Sequence, residues 1–262
     1  MQGIVVGLAF LVGLVVGSFM TVVVARVPAG GSVVRPRSRC PSCDTEIANR
    51  DNVPILGWLL LRGRCRSCGA RISPLYPALE LVTGVLVAGA VWRFWPDPWL
   101  AVAVGALLAL MPALSVIDVQ HRIIPNRIMY PSLVAFPAYL VVARLAGGPV
   151  DLLDALLGFL VYGGGLFIVA LISRGMGMGD VKLAALIGVV LGAVGLSNVG
   201  VAAAAAIVLG GVGAVGALVL GRGRKSAIPF GPYLAAGAVV AAFWGPQIAA
   251  WYGRTLGLGT TS

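Results

Sequence analysis

The sequence predicts an all-α polytopic membrane protein, with about eight transmembrane helices and a cytoplasmic four-cysteine, zinc-binding loop. Three observations predict it: long apolar runs, a one-sided distribution of basic residues, and four cysteines confined to one polar segment. Of 262 residues, 59% are hydrophobic and 11% charged, and the mean hydropathy is +0.99. A soluble domain carries roughly twice that share of charge, so the bilayer has to serve as solvent for most of this chain.

Apolar stretches of roughly 17–25 residues suffice to cross, and eight are expected at 4–24, 76–95, 98–117, 128–146, 152–173, 181–197, 199–220 and 229–251. The sixth is the weakest, because Gly192-Ala193-Val194-Gly195 leaves it short or tilted. The first has no basic residues before it and no small-residue cleavage site after it, so it reads as a retained span. Glycine is abundant (37 residues), as suits closely packed membrane helices; the row Gly210-Gly211-Val212-Gly213 is an example.

Charge orients the spans. Segment 25–73 contains nine Arg, and with eight crossings the same side receives Arg122, Arg127, Arg174, Lys182, Arg222, Arg224 and Lys225. Only Arg93, Arg144 and Arg254 fall on the other side, so 16 basic residues oppose three. The positive-inside rule places the 16 in the cytoplasm and both termini outside. The net charge of +10 invites a nucleic-acid partner. No recognition motif accompanies it, and the loops that hold the charge are explained by anionic membrane lipids.

Cys40-Pro41-Ser42-Cys43 and Cys65-Arg66-Ser67-Cys68 form a C-x2-C-x21-C-x2-C pattern. Each pair makes a knuckle that points two thiolates at one metal, and two knuckles make a closed tetrahedral site for structural zinc. An Arg-rich loop with little apolar content gains its folding free energy from such a centre. Two disulfides, or a redox C-x-x-C pair, are the alternatives; a reducing cytoplasm disfavours the first and the doubled pattern the second.

Asp118 and Asp180 each stand where an apolar run meets basic residues, at the same expected face of the membrane. Carboxylates at such positions are functional candidates by default. Two among nine acidic residues point to one shared task, aspartyl proteolysis, while headgroup-solvated surface residues are the plain alternative. Gly177 and Gly179 beside Asp180 lack a Cβ and would let a substrate backbone approach. Pro125, seven residues after Asp118, marks a bend. Lys182 lies two past Asp180, points elsewhere on a helix and suits a headgroup contact. Glu80, a turn inside the second span, is a further buried carboxylate, and His121, the only histidine, reads as interfacial. A transporter would place its carboxylates nearer the midplane, and a zinc-stabilised scaffold would leave both aspartates unexplained.

These residues resemble the type IV prepilin peptidases, membrane aspartyl proteases of the GxGD type. Gly17-Ser18-Phe19-Met20-Thr21 through Arg26-Val27-Pro28 is similar to the family's GSFxNVxxxRxP signature. The four-cysteine loop follows, with Asn52-Val53-Pro54-Ile55-Leu56-Gly57-Trp58 inside it, and then Ser73-Pro74-Leu75-Tyr76-Pro77-Ala78-Leu79-Glu80. Asp118 to Asn126 resembles D-x6-P-[DN], Gly177-Met178-Gly179-Asp180-Val181-Lys182 resembles GxGDxK, and Ile228-Pro229-Phe230-Gly231-Pro232-Tyr233 resembles the last signature.

The resemblance implies a bacterial inner-membrane enzyme that cuts the cytoplasmic leader from prepilins or pilin-like secretion subunits. Asp118 and Asp180 would be catalytic, with Gly177, Gly179, Lys182, Pro125 and Glu80 supporting. It further implies N-methylation of the new terminus with S-adenosylmethionine, placed in residues 1–97, with the peptidase part in 98–262. Thr21 stands where the family usually has Asn, and a hydroxyl lacks the amide's paired donor and acceptor. A peptidase without methyl transfer is the alternative.

Overall fold

The computed structural model describes residues 1–173, 176–220 and 229–255. Its long elements are α1 (Gln2–Arg26), α3 (Leu75–Phe94), α4 (Pro98–His121), α5 (Asn126–Leu145), α9 (Leu196–Val219) and α10 (Gly231–Thr255). Between α5 and α9, α6 (Leu152–Gly158) runs through a π-helical turn, Phe159–Gly164, into α7 (Gly165–Ser173), and α8 (Met178–Gly192) follows. Seven helices among the described residues are long and apolar enough to cross a membrane, with Leu152–Ser173 counted as one.

The expected sixth span is α8, and it is the exception. It begins at Met178, three residues earlier than the hydropathy suggests, and ends at Gly192. Fifteen residues rise only about 22 Å, short of a hydrocarbon core of about 30 Å. From Leu183 to Gly192 every residue is buried. A helix apolar all round and enclosed by other helices does not have to match the bilayer. Glycines admit its neighbours: Gly188 and Gly158 meet backbone to backbone, Gly192 lies on the carbonyl of Asp154, and Gly163 sits on Ala185.

The remaining helices alternate in direction. Ala90 meets Gly105 across the α3–α4 hairpin, Gly148 after α5 meets Trp99 at the start of α4, and Asn198 of α9 meets Gly245 of α10. Aspartates begin two of the helices: Asp97 accepts from the Leu100 amide at 2.8 Å and Asp151 from the Asp154 amide at 2.9 Å. Such caps satisfy amides that an N-terminus leaves unpaired. The Asp154 carboxylate also accepts from the Leu196 amide, tying the start of α9 to the start of α6.

One end of the bundle therefore gathers the C-terminal ends of α1 and α4 with the starts of α3, α5, α8 and α10. This is also the end at which the cysteine loop emerges. The relative sidedness agrees with the charge-based expectation. Arg174, Arg222, Arg224, Lys225 and Ile228 lie outside the described residues.

α1 leans on α3 through small residues. A Cβ at Gly13 would stand 2.8 Å from the Gly84 Cα, and one at Gly17 would stand 2.7 Å from the Glu80 Cα. This is the small-xxx-small contact that lets membrane helices approach closely.

Candidate peptidase pair and metal centre

Asp118 lies in the last turn of α4 with 5% of its surface exposed. Arg122 ends the helix in the left-handed conformation (φ 56°), its amide bonded to the Asp118 carbonyl. The chain then turns through Ile124 and Pro125, which is extended (ψ 126°) and precedes α5. The bend expected at Pro125 is present.

Asp180 is in the first turn of α8, and its amide donates to the Gly177 carbonyl at 3.1 Å. The α8 turn docks onto the α4–α5 turn at Gly179, where a Cβ would stand 2.9 Å from that of Ile124. This docking sets the turn that holds Asp180 against the turn that follows Asp118. It also corrects the reading of Gly179: the missing side chain makes room for Ile124, not for an approaching chain. At Gly177 the nearest atom to a built Cβ is the Asp180 Oδ2 at 3.7 Å, so open space remains there.

Lys182 is likewise not turned to headgroups. Its Nζ donates to the Asn126 Oδ1 at 2.7 Å and to the Tyr130 hydroxyl at 3.1 Å, and lies 4.5 Å from the centre of the Tyr130 ring. A short ammonium contact plus a ring face holds α8 to α5 beside the pair. His121 is exposed.

One residue at this site escaped the sequence reading. The Gly231 amide, first in α10, donates to the Asp118 Oδ2 at 2.9 Å. The signal was the Pro-Phe-Gly-Pro segment, whose partner lies 113 positions away and is invisible to local pattern.

Glu80 is 8% exposed and does not belong to this cluster. Its Oε2 accepts the Ile55 amide at 2.7 Å, where Ile55 takes φ 61° before the short helix α2 (Leu56–Leu60). A β-branched residue at positive φ is costly, and the buried carboxylate holds the cysteine loop's helix against α3 there. Thr21, 8% exposed, donates to the Ser18 carbonyl at 2.7 Å within its own helix. It lines a cavity of about 230 Å³ with Val24, Ser73, Tyr76, Leu79 and Gln120.

The cysteines build a repeated knuckle. The Cys40 amide donates to the Thr45 carbonyl and the Asp44 amide to the Cys40 carbonyl; Cys65, Ala70 and Gly69 repeat both bonds. Asp44 and Gly69 take positive φ at the same step, and the bridges Arg39–Glu46 and Arg64–Arg71 close the two loops. All four sulfurs lie within 4.8 Å of one another, with Cys40 Sγ and Cys68 Sγ 3.8 Å apart. Tetrahedral zinc–thiolate bonds of about 2.3 Å set sulfurs about 3.8 Å apart, so the cluster can hold a metal.

Hydrogen bonds from Thr45, through side chain and backbone, draw the Cys43 thiol down to about 6, and the backbone of Cys68 and Ser67 lowers Cys65. Cys68, although the Ala70 backbone draws it down, is pushed up to about 11 by its bonding to the other thiols and by burial. A bidentate pair, Arg66 to Asp51 at 2.6 and 2.8 Å, ties the second knuckle to the segment before α2 and holds Asp51 below its ordinary value. Arg37 and Arg39 pair with Glu46 and Asp44.

Comparison with known proteins gives the same arrangement a family. The profile of the Bacterial Peptidase A24 N-terminal domain matches residues 11–94, and that of the Type IV leader peptidase family matches 105–217. The chain is 38% identical over 250 residues to the prepilin leader peptidase/N-methyltransferase of Bacillus subtilis, covering 93% of this chain and 96% of that protein. The chain belongs to the type IV leader peptidase family. Proteins of the same description from Stutzerimonas stutzeri (34% over 279 residues; 93% and 92% covered) and Aeromonas hydrophila (33% over 276; 94% and 92%) are also similar. No solved structure matches the chain significantly. The segments that carry Asp118 and Asp180 meet through Asn126 and Lys182.

Proposed function

We propose that this leader peptidase cuts the cytoplasmic leader from prepilins or pilin-like secretion subunits, using Asp118 and Asp180, and then N-methylates the new terminus. The observation that carries the reading is the docking of α8 on the α4–α5 turn, with one carboxylate on each side of it. Two carboxylates gathered at one site resist joint ionisation, so they share a proton and act as one unit. One takes a proton from the attacking water while the other gives its proton to the scissile carbonyl oxygen; soluble aspartic proteases follow the same logic.

The excess of basic residues at the end that holds the pair supports a cytoplasmic site in a bacterial inner membrane. Anionic lipids are the partner those residues serve, and nucleic acid is not one. Asp44, Glu46 and Asp51 are already paired with arginines, so acidic residues of this loop do not recruit a basic leader.

Zinc held by Cys40, Cys43, Cys65 and Cys68 is structural, since four thiolates leave no open position. Methyl transfer is assigned to residues 1–97 and peptide cleavage to 98–262. S-adenosylmethionine supplies the methyl group. The cavity at Thr21 is about 230 Å³, below the roughly 300–1,000 Å³ of small-molecule sites. It does not fit a whole donor.

The test is to incubate purified protein with a prepilin precursor and labelled S-adenosylmethionine and to weigh the product. Loss of the leader together with a labelled methyl on the new terminus is expected. A trimmed, unlabelled product would leave a peptidase alone, and an untouched precursor would end the reading.

A further inference from the structure

The segment Pro229-Phe230-Gly231-Pro232-Tyr233 joins α10 to the carboxylate of Asp118, and its chemistry is set by space. Gly231 is not in the left-handed region, so backbone freedom is not why glycine stands there. A Cβ at this position would lie 2.7 Å from the Asp118 Oδ2, 3.1 Å from its Cγ and 3.2 Å from its Cβ. No residue with a side chain fits without moving the carboxylate. The Gly231 amide is one of those that a helix N-terminus leaves without an intrahelical partner, and at 2.9 Å it is spent on Oδ2.

The segment is itself seated. Phe230 and Tyr233 pack on the glycine row of α9: a Cβ at Gly210 would stand 3.0 Å from the Phe230 ring, and one at Gly213 would overlap the Tyr233 hydroxyl. The aromatic pair anchors the segment against α9, and the small residues of α9 set how deeply it sits. That depth decides where the Gly231 amide points.

We infer that Gly231 is a positioning residue for the peptidase reaction: its amide fixes one oxygen of Asp118, leaving the other for water and Asp180, and its lack of a side chain keeps that carboxylate in place. The inference rests on the peptidase reading. A free aspartate terminus turns about two bonds, whereas a carboxylate held at one oxygen presents the other in a set direction. An error of about 1 Å in placing a reacting group can cost about a hundredfold in rate.

The experiment measures kcat, KM and thermal midpoint for leader removal by the full-length protein in lipid nanodiscs, with wild type, Gly231→Ala, Tyr233→Leu and Gly89→Ala side by side. Gly89→Ala is the structural control: it crowds the Phe243 ring of α10 at 2.8 Å, on a segment distant from Asp118. Gly231→Ala is expected to lower kcat roughly 10–100-fold with KM within about twofold. Tyr233→Leu should lower kcat in the same sense but less, and Gly89→Ala should lower the midpoint while keeping kcat. Wild-type kcat in Gly231→Ala overturns the inference, as does a kcat loss that merely follows the midpoint across all three variants. If Gly231→Ala does not fold, Tyr233→Leu decides: unchanged kcat overturns the inference, and lowered kcat at unchanged KM supports it. A wild-type protein that leaves the precursor intact refutes the peptidase reading instead, and is told apart by that result.

Discussion

The ammonium of Lys182 sits 2.7 Å from the Asn126 Oδ1, so the second residue after one aspartate grips the eighth residue after the other. The contact joins the second turn of α8 to the first residue of α5, and the Tyr130 hydroxyl and ring complete the seat. If the clamp sets the spacing of the carboxylates, Lys182→Met and Asn126→Ala should each slow leader cleavage. The double variant should be no slower than the worse single one. In a double-mutant cycle the coupling should fall within about 0.5–3 kcal/mol; additive losses would show that the two residues act separately.

Removing either carboxylate should stop cleavage. Asp118→Asn and Asp180→Asn are each expected to lower kcat by at least roughly a thousandfold, because a unit that shares a proton fails when one member is lost. Helical content and methyl transfer to an already trimmed subunit should remain. The check is a mass measurement on both substrates, and near-wild-type cleavage in either variant would exclude the pair.

Orientation is open to direct measurement. Reporters fused after Ser73, Ser173 or Lys225 should read cytoplasmic, and those after Pro98 or Gly148 external, given 16 basic residues against three. A cytoplasmic signal at Gly148 would break the alternation, and with it the shared face of the two aspartates. The short α8 makes this informative, since a 15-residue helix is the pass that length supports least.

The cysteine cluster should carry one zinc per chain by elemental analysis. Serine at any of Cys40, Cys43, Cys65 or Cys68 should release most of it, because the knuckles lose their common ligand. Methyl transfer should fall before cleavage does, since Asp118 and Asp180 lie on other segments. Zinc-free protein with both pairs oxidised would refute the metal centre.

Several features were legible in sequence because their cause is local. Crossing length, charge asymmetry and C-x2-C spacing are properties of contiguous residues, so the span from 152 to 173 and the cysteine cluster match expectation. The shortness of α8, expected from Gly192-Ala193-Val194-Gly195, is present. Only its start lay three residues from the expected one, because what fixes that end is the protein enclosing α8 and not the bilayer's length requirement. Gly179 and Lys182 were misjudged for a related reason. A glycine beside an aspartate and a lysine near a membrane end have ordinary uses, and which one applies depends on what stands opposite.

By itself the sequence determined that the chain crosses a membrane repeatedly, that the two aspartates share a face, and that four thiols can meet at one metal. Apolar run length, charge bias and short-range spacing are each enough for those conclusions. Only the tertiary structure decided that Ile124 fills the space at Gly179, that Lys182 reaches Asn126, that Glu80 serves the loop, and that Gly231 bonds Asp118. Those contacts join residues from 25 to 113 positions apart, and their existence depends on helix packing that glycines permit and no local pattern encodes.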